Sequence, residues 1–175
     1  PASKSALALS RIHEGESDLA INYPHNIVLL QDQFPGIVSV GSLVRNNPEG
    51  LLSLTETGIR TPSDLKGKRI GVGPSPVSVA QLEVFLSENS IPREDVTFVT
   101  VGFEGEERLL KGEIDALDAV SYAIPRTLHK GHTIEFIAYT EHGIPDSPFL
   151  VFAAKGTWAE ENRELLASFF RATRR

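Results

Sequence analysis

Thr61-Pro-Ser-Asp-Leu-Lys-Gly-Lys-Arg-Ile-Gly-Val72 is the stretch on which the fold turns. Thr61 before Pro62 reads as a helix N-cap with proline at the first helical position, where its missing N–H costs nothing. That helix is short, because it leads into Lys66-Gly67-Lys68. Arg69 to Gly73 then reads as a strand. Gly73-Pro-Ser-Pro76 follows as a loop opening on Ser78-x-x-Gln81, the capping-box pattern of a helix whose apolar positions are Val79, Leu82, Phe85 and Leu86. A strand that ends in a tight loop and a helix is half of a βα unit, and the remaining chain can be tested for its continuation.

Downstream the rhythm repeats. Val96 to Val101 reads as a strand, Glu104 to Lys111 as a helix stopped by Gly112, and Ile114 to Val120 as another strand. Ile134 to Tyr139 and Phe149 to Ala154 complete the strands, and Thr157-x-x-Glu160 boxes the start of a last helix with the stripe Leu165, Leu166, Phe169 and Phe170. Upstream, Ser5 to His13 is helical with Gly15 as its stop. Asp18 to Tyr23 is an apolar run suited to a parallel strand buried on both faces, and Asn26 to Asp32 a short helix. Ile37 to Val44 and Leu51 to Leu54 are strands punctuated by Asn46-Asn47-Pro48. Alternating units of this length predict an α/β fold of mostly parallel sheets flanked by helices. The turn-rich stretch from Thr57 to Gly67 is the expected boundary between two lobes.

Composition narrows the function classes. The 175 residues suit one domain or two small lobes, at about 150 residues per domain. Apolar residues make up 41% and charged residues 23%, close to the globular average, and no segment approaches the roughly 20 consecutive apolar residues of a membrane helix. A net charge of −6 with interspersed signs argues against a nucleic-acid surface, and the one basic run is Arg171, Arg174 and Arg175. With no cysteine, disulfides, thiolate metal sites and a cysteine nucleophile are out. The chain begins at Pro1, contains no Met and shows no signal-peptide pattern, while its first residues read as a helix in progress. A processed chain or a fragment is expected.

Four segments together resemble a known family. They are Gly15-Glu-Ser-Asp18-Leu-Ala; Thr61 to Val72; Glu94-Asp-Val-Thr-Phe-Val-Thr-Val-Gly-Phe103 running on to Leu110-Lys-Gly-Glu-Ile-Asp-Ala116; and Tyr139-Thr-Glu-His-Gly-Ile-Pro145 followed by Phe149-Leu-Val. Their order and spacing are similar to those of type II periplasmic solute-binding proteins of ABC importers, particularly the branch that binds pyrimidine precursors of thiamine. The resemblance implies a two-lobe fold: lobe one from residues 1–58, lobe two from 59–145, and a return segment, 146–175, to lobe one. It implies an extracytoplasmic, periplasmic or lipid-anchored monomer that closes an interlobe cleft on a small heterocyclic or polar metabolite and presents it to an ABC permease, without a cofactor. The family's opening strand, helix and strand have no counterpart here, nor does most of its C-terminal helical tail. Where the pyrimidine-binding branch carries a carboxylate, this chain has Ser121-Tyr122-Ala123-Ile124-Pro125-Arg126. Two rivals share the fold: a pyrimidine synthase, which would need a lysine and a histidine in the cleft, and the effector domain of a LysR-type regulator, which would carry a helix-turn-helix.

In open α/β sheets ligands bind beyond the C-terminal ends of the strands. That rule selects Asn22 and Tyr23, Asn46 and Asn47, Ser75, Pro76 and Ser78, and Ser121 and Tyr122 as candidate ligand-binding residues. Ser75 to Ser78 can offer hydroxyls and helix-terminal N–H groups to an anion or carbonyl, although Ser78 also reads as a plain N-cap. Tyr23 and Tyr122 offer flat faces for a heterocycle or for packing between lobes, and Asn22 a partner for ring nitrogens or simple turn chemistry. His129 and His132 have only Glu135 nearby, which is too little for a metal, and His13, His25 and His142 read as solvated. Asp115 and Asp118, three apart in a strand, cannot form a catalytic pair on one face. Gly71-x-Gly73 has Pro76 where a dinucleotide fingerprint needs glycine. Glu104, Glu106 and Glu107, like the Glu160 to Glu164 cluster, read as solvated charges at helix starts. No serine nucleophile has a matched base, so a binder is expected rather than an enzyme.

Overall fold

The computed structural model describes residues 4–125 and 131–173. Arg126, His129, Arg174 and Arg175 lie outside the described residues. The chain divides into two compact units, one formed by Pro1–Asn47 with Ser147–Arg175 and the other by Pro48–Asp146.

The second unit is built on a five-stranded sheet of order β5-β4-β6-β3-β7, with β3 at Glu49–Leu54, β4 at Arg69–Val72, β5 at Thr97–Thr100, β6 at Ala116–Val120 and β7 at Ile134–Ala138. β4 pairs in parallel with β5 and β6, whereas β3 pairs antiparallel with β6 and β7. Four strands therefore run one way and β3 alone runs against them. Side chains alternate along β3, so Leu51 enters one core and Leu52 the other. Helix α3 (Pro76–Glu88) buries Leu82, Phe85 and Leu86 against Leu51, Ile70, Val72 and Ile137 on the first face. Helix α4 (Gly105–Leu110) buries Leu109 with Leu52, Leu54, Val101 and Ile114 on the other. Each such side chain contributes about 2 kcal/mol of hydrophobic stabilisation.

The Thr61 to Val72 stretch folds as its residues dictate. The Asp64 carboxylate accepts the N–H groups of Arg60 and Thr61 at 3.0 and 2.8 Å and the Thr61 hydroxyl at 2.9 Å, which winds Pro62–Leu65 into a single 3-10 turn and holds its carboxyl below the usual range. Leu65 is thereby driven into the core. Asp115 fastens β4 to β6, taking the Arg69 backbone N–H at 2.8 Å and its guanidinium at 2.8 and 3.1 Å.

The first unit holds a three-stranded sheet of order β1-β8-β2, with β1 at Ala20–Asn22, β2 at Ile37–Val44 and β8 at Leu150–Lys155. Helix α1 (Lys4–Glu14) supplies Leu9 and Ile12 to a core with Ile37 and Ala153, and Ile27 of helix α2 (Pro24–Leu29) packs against it. Two further helices follow β8, α5 (Gly156–Glu161) and α6 (Arg163–Thr173). Phe169 and Phe170 of α6 close edge-on against Phe152 of β8 with centroids 5.3 and 5.5 Å apart. Gly41 makes room for this: a Cβ there would meet the Phe170 ring at 2.5 Å.

Several expectations are corrected. The first sheet is antiparallel at both pairings, because β8 returns from the other unit and lies between β1 and β2. β1 is three residues long with Ile21 exposed, not a strand buried on both faces. Residues 48–58, read as part of lobe one, belong to the second unit, where β3 is an inner strand. Thr157 lies inside α5, whose N-cap is Lys155 without a side-chain cap. Leu165 of the last helix is exposed, while Leu166 is buried. Glu106 is buried rather than solvated, since it lies one helical turn before Leu109 on the inward face of α4.

Gly50 of β3 lies so close to its neighbours that a Cβ would meet the Ile137 carbonyl and, at 2.7 Å, the Phe136 ring. Gly50→Ala is expected to lower the urea-unfolding free energy by about 1–3 kcal/mol through overpacking, read from the denaturation midpoint.

Candidate functional site

The C-terminal ends of β4, β5, β6 and β7 share one edge of the second unit, because these four strands run in the same direction. The chain enters β3 at that edge, where Glu49 is opposite Val120, the last residue of β6. The Ser121 N–H donates to the Pro48 carbonyl at 2.8 Å and locks the two segments together.

Ser75 is the N-cap of α3, its Oγ accepting the Val77 N–H at 3.3 Å, and Pro76 occupies the first helical position. Ser75 and Pro76 are exposed and Ser78 is partly buried. The expected cap at Ser78 is thus corrected. Proline needs no N–H partner and starts the helix three residues earlier, leaving Ser78 within its first turn. Gln81, freed from a capping role, donates to Glu49 Oε2 at 2.7 Å. Ser121 and Tyr122 lie in a 3-10 turn at the end of β6, next to the β4 loop in strand order, and Tyr122 is 64% exposed. This unit therefore gathers Ser75, Pro76, Ser78, Ser121 and Tyr122 at the ends of two neighbouring strands.

The first-unit candidates have other duties as well. Asn22, buried at the end of β1, accepts the Tyr23 N–H at 2.9 Å and the Asn26 side-chain amide at 3.0 Å through its Oδ1, the turn chemistry that starts α2. The Tyr23 ring stacks on His25 at 5.3 Å and meets the edge of Phe149 at 5.2 Å. His25 is accordingly partly buried rather than solvated, and burial lowers its pKa. His142 is likewise partly buried and faces Phe85 at 6.3 Å. Asn47 is partly buried at the last position before the chain leaves this unit. A separate groove of about 360 Å³ lies between Ser17, Asp18 and Leu19 and the Trp158, Leu165, Leu166 and Phe169 side chains. It opens at the start of β1, away from Asn22 and Tyr23 at its end. Among the described residues no cluster of metal-binding side chains occurs.

One polar pair went unread in the sequence. Asp118 of β6 lies opposite Leu51 on the apolar face under α3, and its Oδ1 accepts the hydroxyl of the buried Tyr139 at 2.9 Å. Burial pushes the Asp118 carboxyl up to about 7; the Tyr139 hydrogen bond works the other way, and the Glu49 charge adds to the rise. Burial also raises the Tyr139 phenol, with Asp118 contributing. An aspartate two residues inside a strand end was the available signal, but its partner comes from β7's end, across β3, and a pairing that distant in sequence is invisible without the topology. As expected, Asp115 and Asp118 do not form a pair: each has its own partner.

An aspartate near pH 4 when unfolded and near 7 when folded keeps its proton longer in the native state. Stability from this group is full below about pH 4 and is lost as pH rises through about 7. Asp118→Asn removes the titration and keeps an acceptor for Tyr139. The variant should therefore gain melting temperature relative to wild type between pH 5 and pH 8, whereas an unchanged difference would place Asp118 in an ordinary ionised state.

Comparison with known proteins agrees with the resemblance seen in the sequence. The formylaminopyrimidine-binding protein of Halalkalibacterium halodurans is 29% identical over 160 residues, covering 90% of this chain and 48% of that protein. The chain thus spans about half the length of that relative. Among solved structures, the periplasmic aliphatic sulphonate binding protein from Escherichia coli superposes with a TM-score of 0.76 at 18% identity, over 94% of this chain and 56% of that one. An ABC transporter protein from Parabacteroides distasonis superposes with a TM-score of 0.71 at 16% identity, over 98% of this chain and 59% of that one. These likenesses establish the α/β fold of periplasmic binding proteins. A family model described as NMT1/THI5 like matches residues 1–175, and the chain belongs to that family.

Proposed function

We propose that this chain is part of an extracytoplasmic solute-binding subunit of an ABC importer, and that it captures a small planar heterocycle, a pyrimidine related to thiamine precursors, for delivery to a membrane permease. The observation that carries the reading is the shared edge of the second unit: strand ends presenting Ser75, Ser78 and Ser121 hydroxyls beside an exposed Tyr122. Hydroxyls and the N–H groups that begin α3 suit the carbonyl and ring-nitrogen acceptors of such a ligand, and Tyr122 suits its face. Within the first unit, Asn22, Tyr23 and Asn47 are likewise proposed as ligand-binding residues. The pyrimidine class is supported by family membership and by the name of the formylaminopyrimidine-binding relative. No helix among the described residues is long and apolar enough to cross a membrane.

A thermal-shift panel of pyrimidines, flavins, thiamine vitamers, sulfonates and nitriles tests the reading. A ligand that binds only the folded state stabilises it by about 2.7 kcal/mol at a hundredfold excess over Kd. A saturable rise in melting temperature with a pyrimidine, reduced in Tyr122→Ala, is the expected result. A rise with pyridoxal phosphate accompanied by turnover would replace the binder with an enzyme.

A further inference from the structure

The strand-end rule applies to β5 as it does to its neighbours, and the residue it selects there is Phe103. Phe103 is 104% exposed, the most exposed large apolar side chain in the described residues. A phenyl ring held wholly in water is the costly placement for this residue type.

The loop that presents it is tied down on both sides. The Gly102 N–H donates to Glu104 Oε1 at 2.9 Å, and the Gly105 N–H to the Gly102 carbonyl at 3.3 Å. Gly105 sits tight on the sheet, where a Cβ would meet the Leu117 side chain at 2.8 Å. The backbone around Phe103 is therefore fixed while its ring has no place in either core of the unit. Tyr122, also exposed, ends β6, and β4 with its Ser75 loop lies between β5 and β6. Two strand spacings of about 4.8 Å put the two aromatic positions about 10 Å apart along the edge, flanking the serine loop.

We infer that Phe103 is a ligand-contacting, specificity-determining residue of this site, supplying an apolar face to a planar heteroaromatic ring. Phenylalanine has no polar handle, so all it can offer a ligand is dispersion and stacking, which a flat ring uses fully and a short aliphatic sulfonate does not. The inference rests on the ligand-binding reading above and adds to it the residue that makes the site choose planar cargo.

Calorimetric titration of the intact protein with a formylaminopyrimidine, and separately with an aliphatic sulfonate, tests it in wild type, Phe103→Ala, Phe103→Leu and Phe103→Tyr. Loss of one stacking partner weakens binding about tenfold or more, so Phe103→Ala should lose that much. Phe103→Leu, which keeps apolar bulk without the flat face, should lose most of it, and Phe103→Tyr should stay within about twofold of wild type. Melting temperatures should be unchanged in all three, because the ring packs in neither core. If wild type binds the pyrimidine and Phe103→Ala binds it equally well, the role of Phe103 is overturned and the capture function stands. If wild type binds only the sulfonate, or neither probe, both the planar-ligand inference and the pyrimidine reading are overturned.

Discussion

β3 is the only strand of its sheet that runs against the others, and the placement of the candidate site depends on it. The chain arrives from the first unit at the edge where β4, β5, β6 and β7 end, so a strand entering there and pairing with β6 and β7 must run backwards. Its residues allow this because both of its faces are apolar. Leu51 and Leu52 feed opposite cores, and Gly50 lets the Phe136 ring and the Ile137 backbone close over it. A parallel strand would have required the chain to travel the length of the sheet first. By entering directly, the chain begins β3 at the edge where β6 ends.

That geometry also accounts for the unusual aspartate. β6 is paired on both edges, and its residue two places from the end faces the α3 side of the sheet. A charged carboxylate there loses hydration without full compensation, so burial raises its pKa to about 7 while its Oδ1 accepts the Tyr139 hydroxyl. Glu49, at the start of β3, takes its hydrogen bond from Gln81 instead. Polar side chains from β3, β6, α3 and the end of β7 thus cluster just beneath the strand ends, and each of the two carboxylates has a hydrogen-bond donor.

Much of this was legible from local chemistry. β2 and β4 were readable from apolar patterning, and the turn at Pro62 was readable because Thr61, Pro62 and Asp64 act on neighbours one to four residues away. What local chemistry could not show was direction and partnership. Asp18 to Tyr23 looked like a buried parallel strand because apolarity does not report pairing, and only the return of β8 makes it an antiparallel edge strand. The unit boundary was misplaced to the turn-rich segment after β3, since turns are common inside units too, while the actual crossing uses Asn47 and Pro48. Ser78 and Ser75 competed for one cap, and the winner was decided by proline's tolerance of the first helical position. Phe103 follows the end of β5, and it is conspicuous through its exposure, which a sequence does not carry.

The second unit's strand-end edge is the place we propose for a small planar ligand. Titrating the isotope-labelled protein with a pyrimidine and following backbone amide chemical shifts tests it most directly. Saturable shifts clustered at Gly73 to Ser78, Gly102 to Glu104 and Ser121 to Tyr122 are expected. Shifts confined to Ser17 to Leu19 and the Trp158 to Phe169 groove of the first unit, with the strand-end amides unmoved, would contradict it.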